Sequence, residues 1–140
     1  DCTGFANLLT GKTLGVPFLS YKPWLFNDRA VAMPTPLEDP ASLPSETVSQ
    51  AMKFGWVWKI PLTNRYGNGY VYSSDYLDEA GAEAELRAHL GAQVASDTEA
   101  RHLKMRVGRL ERTWEKNCVA IGLAQGAVLF LLYEAAESGS

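Results

Sequence analysis

The chain is expected to adopt an α+β fold, with a mixed or antiparallel sheet and a few helices. Alternating, β-prone stretches recur along its 140 residues and outnumber the stretches with helical periodicity. The dipeptide Asn68-Gly69 lies in a polar connection before one such stretch, as in hairpins. Hairpins join antiparallel neighbours, whereas parallel neighbours need long crossovers, so the sheet is predicted to be antiparallel or mixed.

The first half of the chain contains few regular elements. A short helix is expected over Phe5–Leu9, with Gly11 as its end signal. Six of the seven prolines follow between positions 17 and 44 and leave room for one strand, Arg29–Met33. Thr47–Leu62 alternates as a long strand that can break at Gly55.

The second half contains the clearest helix signals. The predicted hairpin at Asn68-Gly69 leads into a strand over Tyr70–Ser73. Asp75 or Asp78 can cap a helix that runs to about Leu90, where a glycine follows as the stop.

Two further strands are predicted near the end of the chain. Residues 103–107 alternate apolar and basic side chains. The basic cluster over residues 101–112 could contact a phosphate, but its alternation with apolar residues more simply indicates a solvated strand face. Residues 117–123 form a continuous small and apolar run, which is typical of a buried strand.

Residues 56–61 read W-V-W-K-I-P and carry the most informative pattern. The period-two spacing predicts a strand, and the proline fixes where that strand ends or meets a sheet edge. By itself the pattern indicates a half-buried strand with aromatic filling. One face would carry Trp56, Trp58, Ile60 and Leu62, and the other Val57 and Lys59.

The sequence pattern W-x-W-x-I-P is the defining motif of the flavin-dependent halogenases, and the chain resembles the tryptophan halogenases among them. Residues 1–5, D-C-T-G-F, are similar to the D-x-[ST]-G turn that closes the FAD-binding part of this family. Residues 66–74, 106–109 and 117–124 continue the resemblance in the same order. The resemblance covers residues 1–126 in register, and it implies the substrate-side half of the flavin monooxygenase-like halogenase fold.

Several features of the family are expected to lie outside this chain. No stretch has the G-x-G-x-x-G spacing of a dinucleotide-binding unit. The family's catalytic lysine belongs to that part, so no catalytic residue is assigned here. After residue 126 the family's acidic run is not matched, and Glu134 and Glu137 lie too far along. Residues 1–126 are therefore interpreted as a partial tryptophan halogenase domain, inactive alone, and residues 127–140 as a divergent tail.

The resemblance also implies roles for individual residues. Trp56 corresponds to one wall of the aromatic slot that stacks an indole. Trp58 and Ile60 correspond to packing that keeps the tunnel floor rigid and the substrate away from the flavin, and Pro61 completes the motif.

Three positions correspond to flavin contacts in the family. Gly4 would allow the backbone to approach the cofactor. Gly122 and Leu123 match a Gly-Asp pair of related monooxygenases, so the leucine would leave that contact to backbone N–H groups.

The implied function is chlorination or bromination of tryptophan or another indole, using reduced FAD, O₂ and halide. A separate flavin reductase would supply the reduced flavin. FAD binding by this chain alone is not expected, because the G-x-G-x-x-G unit is missing. Two alternatives remain open at this point. One is a related FAD-dependent aromatic hydroxylase, which would lack W-x-W-x-I-P, and the other is a non-catalytic module that binds an aromatic ligand through Trp56.

Composition narrows the function classes further. With 46% hydrophobic and 21% charged residues the chain is typical of a globular protein, and a net charge of −3 argues against nucleic acid as a partner. Cys2 and Cys118 lack C-x-x-C spacing and are expected to be free thiols of a cytoplasmic protein. The histidines, His89 and His102, lack catalytic or metal-ligand spacing. The apolar run Ala127–Tyr133 is far shorter than the roughly 20 residues of a membrane span.

Overall fold

The structure is a computed structural model that describes residues 1–39 and 41–127. It divides the chain into two compact units, one formed by Asp1–Asp28 with the chain from Met105 on, and one formed by Arg29–Lys104. The predicted divergent tail, most of the apolar run 127–133, and Glu134 and Glu137 lie outside the described residues.

Ten strands are described, and every strand pairing is antiparallel, so the predicted α+β class is confirmed. Besides the helix α1 (Glu79–Leu90), the described helical turns are Gly4–Ala6, Leu8–Thr13, Gly91–Gln93 and Gly122–Ala124. The strands are β1 (Phe18–Ser20), β2 (Arg29–Thr35), β3 (Val48–Met52), β4 (Gly55–Pro61), β5 (Tyr66–Tyr72), β6 (Arg101–Lys104), β7 (Gly108–Leu110), β8 (Trp114–Glu115), β9 (Cys118–Val119) and β10 (Gly126–Ala127).

The unit Arg29–Lys104 is built on a five-stranded sheet in the order β3-β4-β5-β2-β6. One face of this sheet forms a core with helix α1, because alternate strand positions and one helix stripe are apolar. The opposite face carries the two tryptophans of β4. The core consists of Val31, Met33, Val57, Tyr70, Tyr72, Ala82, Leu86 and Leu90.

Helix α1 begins and ends where its sequence signals predicted. The Asp78 side chain accepts a hydrogen bond from the Gly81 N–H at 2.7 Å, and Gly91 follows the last turn with φ of 57°. Leu86 and Leu90 are buried on the same face, as expected. Asp78, rather than Asp75, is therefore the capping residue.

Replacing Asp78 with alanine should lower the free energy of unfolding by about 1 kcal/mol, because an N–H of the first turn loses its acceptor. Urea denaturation would measure this change. The control is Asp97→Ala, which removes an exposed aspartate outside the helix. Equal destabilisation by both substitutions would contradict the capping role.

The unit that contains both ends of the described chain is built on two small sheets. β1, β7 and β10 form a three-stranded sheet with β7 in the centre, and β8 and β9 form a hairpin. A small core of Val16, Leu110, Ala120 and Ala124, with Phe18 against it, holds this unit together. Cys2 and Cys118 are free thiols, as predicted. No helix within the described ranges is long and apolar enough to cross a membrane.

The predicted hairpin at Asn68-Gly69 is wrong, because both residues lie inside β5. Asn68 is 1% exposed and donates to Thr35 Oγ1 at 2.9 Å and to the Met33 carbonyl at 3.3 Å, so sheet neighbours satisfy its amide. The connection from β4 to β5 lies earlier, where the Leu62 N–H donates to the Arg65 carbonyl at 2.9 Å.

Other predicted elements also differ from the structure. Thr47–Leu62 forms two antiparallel strands instead of one, joined by a turn immediately before Gly55. The Phe5–Leu9 helix is replaced by a 3₁₀ turn and a π-helical turn, because Asn7 between them has a φ of 44°.

The last two predicted strands are shortened. Residues 105–107 lie between β6 and β7 without strand pairing. In 117–123 only Cys118–Val119 is a strand, and Ile121 and Leu123 are exposed, so this run is not a buried strand.

Candidate functional site

Trp56 and Trp58 lie next to each other on the face of the sheet opposite helix α1. Their ring centroids are 5.8 Å apart and the ring planes are inclined by 54°. Trp56 is 7% exposed, whereas Trp58 is only partly buried. Trp58 therefore presents the more accessible ring, and Trp56 lies deeper beside it.

A glycine on the neighbouring strand makes room for the Trp58 ring. Gly69 lies opposite Trp58 in the β4–β5 pairing. A Cβ atom at Gly69 would lie 2.0 Å from Cζ2 and 2.2 Å from Cη2 of Trp58. The next residue across the sheet is Ala32, which is also small. The ring of Trp58 thus lies over Gly69, in space that a larger side chain would fill.

Sequence reasoning missed Gly69 because Asn-Gly is the strongest short hairpin signal. A glycine within an aromatic strand pattern is an alternative signal, since it often marks a close approach of another group. The structure shows that the second meaning applies here.

The remaining motif residues complete this face. Val57 is buried in the core with helix α1, so the alternation predicted for the motif is confirmed. Ile60 is 38% exposed on the tryptophan side, and Pro61 ends β4 opposite Tyr66. Lys59 lies on the other side, with its Nζ 4.1 Å from the Tyr66 ring centroid and 2.9 Å from Glu38 Oε1.

The indole nitrogen of Trp56 is the chemically notable atom of this face. Trp56 Nε1 is buried and has no hydrogen-bond acceptor among the described residues. Buried tryptophan N–H groups usually have a partner, and leaving a donor unsatisfied costs about 1–3 kcal/mol. Among residues 1–39 and 41–127 this donor is therefore buried and unpaired.

Gly4, Gly122 and Leu123 are brought together in the other unit. Gly4 and Gly122 each open a 3₁₀ turn with a φ of 60° and 58°, and the two turns contact each other. A Cβ atom at either glycine would meet nothing within 4 Å. Leu123 and Ile121 beside them are exposed by 51% and 56%. These positions fit a close approach of backbone to a large planar group such as a flavin.

Asp1 connects these two turns through its carboxylate and its main-chain carbonyl. The carboxylate accepts hydrogen bonds from the Thr3 N–H and hydroxyl and from the N–H groups of Leu9 and Thr10, at 2.6–3.1 Å. The Asp1 carbonyl accepts the Ile121 N–H at 3.1 Å, which ties the first residues to the segment before Gly122. The carboxylate of the D-x-[ST]-G pattern therefore holds the start of the Gly4 turn to the π-helical turn that follows it, and the Asp1 main-chain carbonyl connects both to the segment before Gly122.

The strongest pKa shift within the described part of the chain lies in the core rather than at a surface. Burial, together with the neighbouring Glu85 carboxylate, raises the pKa of the Tyr70 phenol. Its hydroxyl donates to Glu85 Oε2 at 2.8 Å and accepts the Phe54 N–H at 3.3 Å. This arrangement links helix α1 to the β3–β4 turn and is structural.

A second polar group joins helix α1 to the edge strand β6. Hydrogen bonding to Arg87 lowers the pKa of the Glu83 carboxyl, and His102 Nε2 lies 3.2 Å from the same carboxylate. Within residues 1–39 and 41–127 there is no cluster of His, Cys, Asp and Glu that could hold a metal ion.

The fold and these surfaces define a class of protein. The protein-family model for tryptophan halogenases matches residues 1–139. The chain therefore belongs to the tryptophan halogenase family, which is flavin-dependent. Family membership confirms the resemblance carried by W-x-W-x-I-P.

Individual relatives support the same assignment. The tryptophan 6-halogenase SttH of Streptomyces toxytricini is 46% identical over 145 residues, which cover 98% of this chain and 28% of the relative. The tryptophan 7-halogenase RebH of Lentzea aerocolonigenes is 43% identical over 87% of this chain and 23% of its own length.

Solved structures agree with this fold. The crystal structure of SttH has a TM-score of 0.85 at 49% identity and covers 91% of this chain and 25% of that one. The structure of the lanthipeptide tryptophan 5-halogenase MibH has a TM-score of 0.80 at 35% identity. The match covers 98% of this chain and 25% of MibH. The chain thus spans about a quarter of the length of the relatives it matches.

Proposed function

We propose that this chain is the substrate-side part of a flavin-dependent halogenase that chlorinates or brominates tryptophan or another indole. The observation that supports this most is the pair of neighbouring tryptophan rings, 5.8 Å apart, with the Trp58 ring over Gly69. An indole stacked on such a wall gains about 0.5–1.5 kcal/mol beyond its burial. Trp56 and Trp58 would form this wall, with Ile60 and Pro61 continuing it along the strand.

The wall would act by holding the substrate in one orientation. FAD, when bound, supplies the oxidant that converts halide into hypohalous acid. Gly4, Gly122 and Leu123 would lie against that cofactor through their open backbone turns. The residues of this chain then orient the indole, and orientation supplies a large part of the rate of such a reaction. Catalytic groups would come from other parts of the whole enzyme, and a separate reductase would deliver reduced flavin.

A cytoplasmic location is part of this proposal. It is supported by two cysteines that remain free thiols, which is typical of a reducing compartment.

The proposal is tested with alanine substitutions in an intact enzyme that contains this segment. Trp56→Ala and Trp58→Ala should each weaken tryptophan binding by roughly 1–3 kcal/mol, because each removes part of the stacking wall. Trp58→Phe should recover part of the loss, since it keeps a smaller aromatic face. Calorimetric titration with tryptophan measures the affinity, and thermal unfolding measures stability in parallel.

Trp114→Ala is the matched control, because Trp114 is 68% exposed in the β8–β9 hairpin. It should leave tryptophan affinity unchanged. If Trp56→Ala and Trp58→Ala lower only the melting temperature and leave affinity unchanged, both residues are core packing and the wall assignment is wrong.

The isolated 140-residue chain should not retain FAD or halogenate tryptophan. The missing G-x-G-x-x-G unit would hold the pyrophosphate, and two open glycine turns cannot replace it. Visible absorbance of the purified chain and mass spectrometry after incubation with reduced flavin, O₂ and bromide would measure both. A stoichiometric flavin or a brominated product would contradict this expectation.

A further inference from the structure

A cavity of about 330 Å³ lies within the unit that contains β1 and β7. This volume is at the lower end of the range for small-molecule sites. Two hydrogen bonds of 2.9 Å hold its two walls together, from the Tyr21 N–H to the Val107 carbonyl and from the Met105 N–H to the Asp28 carbonyl. The lining residues are Phe18, Ser20, Lys22 and Asp28 on one segment and Met105, Arg106 and Val107 on the other.

The charges in this cavity do not cancel. Lys22 Nζ lies 3.1 Å from Asp28 Oδ2, and the Asp28 side chain is 8% exposed, so these two charges compensate each other. The guanidinium of Arg106 lies 4.0 Å from the centroid of the Phe18 ring. Among the described residues it has no carboxylate partner. The cavity thus carries one excess positive charge in a chain whose net charge is −3.

The Arg106 guanidinium is suited to binding an oxyanion. Its contact with the Phe18 ring restrains the side chain, so less freedom is lost when its N–H groups bind a ligand. Guanidinium groups pair with carboxylates through two parallel hydrogen bonds. The Ser20 hydroxyl accepts the Lys22 N–H at 3.3 Å and retains its own O–H as a second donor.

The lining of the cavity indicates which kind of molecule carries the anionic group. Phe18, Met105 and Val107 are apolar and would bury an apolar body. A cation is disfavoured because Lys22 already neutralises Asp28. A neutral apolar ligand would make no use of the exposed Arg106 guanidinium and its N–H donors.

We propose that this cavity binds a small organic carboxylate, with its carboxylate on Arg106 and Ser20 and its apolar body against Met105 and Val107. The carboxylate can come from a free small acid or from an acidic side chain elsewhere in the whole enzyme. The lining shares no residue with the tryptophan face of β4 or with the glycine turns, so the proposal does not depend on the proposed halogenase activity.

The test titrates the 140-residue chain with benzoate and with benzamide, which has the same shape without the charge. Backbone amide shifts in NMR spectra report which residues respond. Benzoate should bind and shift the amides of residues 18–22 and 105–107, and benzamide should bind at least about tenfold more weakly. Equal binding of both compounds, or no response to benzoate, would overturn the proposal.

Variants locate the charge that is responsible. Arg106→Gln should weaken benzoate binding about tenfold or more, and Ser20→Ala about threefold, because each removes a donor to the anion. Arg112→Gln is the matched control, since Arg112 is exposed and paired with Glu111 and Glu115. It should bind benzoate as the unmodified chain does. Unchanged affinity in Arg106→Gln would overturn the proposal.

Two further experiments test whether the Arg106 variant is folded and where the bound carboxylate comes from. If circular dichroism shows that Arg106→Gln is unfolded, Arg106→Lys replaces it, and an intermediate loss of affinity is expected because the charge stays but the paired geometry is lost. Benzoate binding to the intact enzyme as well would identify a free acid as the ligand. Binding to the isolated chain alone would identify a carboxylate of the enzyme itself as the occupant.

Discussion

Gly55→Ala should lower the free energy of unfolding of this chain by at least about 3 kcal/mol. Gly55 begins β4, immediately before the two tryptophans. A Cβ atom there would lie 1.8 Å from the Val71 carbonyl oxygen and 3.0 Å from the Tyr72 Cα. These are backbone atoms of the paired strand, so they cannot move away without separating β4 from β5. Urea denaturation followed by tryptophan fluorescence would measure the loss.

Gly67→Ala is the control for this prediction. Gly67 lies on β5 in the same pairing, and its nearest neighbour to an added Cβ is Leu62 Cδ1 at 3.7 Å, an ordinary contact. Its substitution should change stability by less than about 1 kcal/mol, since only the entropy of the unfolded chain and a normal contact change. Similar effects of the two alanines would show that the close approach at Gly55 does not limit the fold.

Leu86→Ala should lower the free energy of unfolding by about 2–5 kcal/mol. The Leu86 side chain is 0% exposed and belongs to the core that helix α1 forms with β2, β4 and β5. Its truncation would leave a cavity between the helix and the sheet, and close-packed surroundings collapse only in part. Thermal and urea unfolding of the same variant would measure the effect.

The matched control is Ile60→Ala, an aliphatic truncation at a residue that is 38% exposed. It should cost about 1 kcal/mol or less, because the residue buries less area and leaves no closed cavity. A loss at Ile60 equal to that at Leu86 would contradict the prediction and show that the tryptophan face contributes as much packing energy as the helix side.

Local chemistry made several elements predictable. Helix α1 was found with its cap, its end and its buried leucines, because capping and periodicity involve residues within a few positions of each other. The alternation of Val57 against Trp56 and Trp58 was found for the same reason, since strand geometry alone separates the two faces. The W-x-W-x-I-P motif and the ordered matches around it identified the family, which the family match over residues 1–139 confirms.

The predictions that were wrong concern segments whose structure depends on contacts with residues far along the chain. Asn68-Gly69 has the chemistry of a turn, yet Thr35 and Met33 satisfy the asparagine, and the Trp58 ring occupies the space above the glycine. The apolar run at 117–123 was predicted as a buried strand, but Ile121 and Leu123 are exposed beside the Gly122 turn. In both cases the local pattern permits two structures, and contacts far along the chain select one.

By itself, the sequence determined the fold class, the helix with its ends, the two faces of the motif strand and the family. The tertiary structure decided that Trp58 rests on Gly69 and that Asp1 connects the turns at Gly4 and Gly122 through its carboxylate and its main-chain carbonyl. It also decided that Phe18 and Arg106, 88 positions apart in the numbering, meet in one cavity. Helix caps, hydrophobic periodicity and sequence motifs involve residues within a few positions of each other, so they can be recognised from the sequence. Ring packing, carboxylate bracing and charge placement depend on strand pairing between distant segments, which only the folded structure specifies.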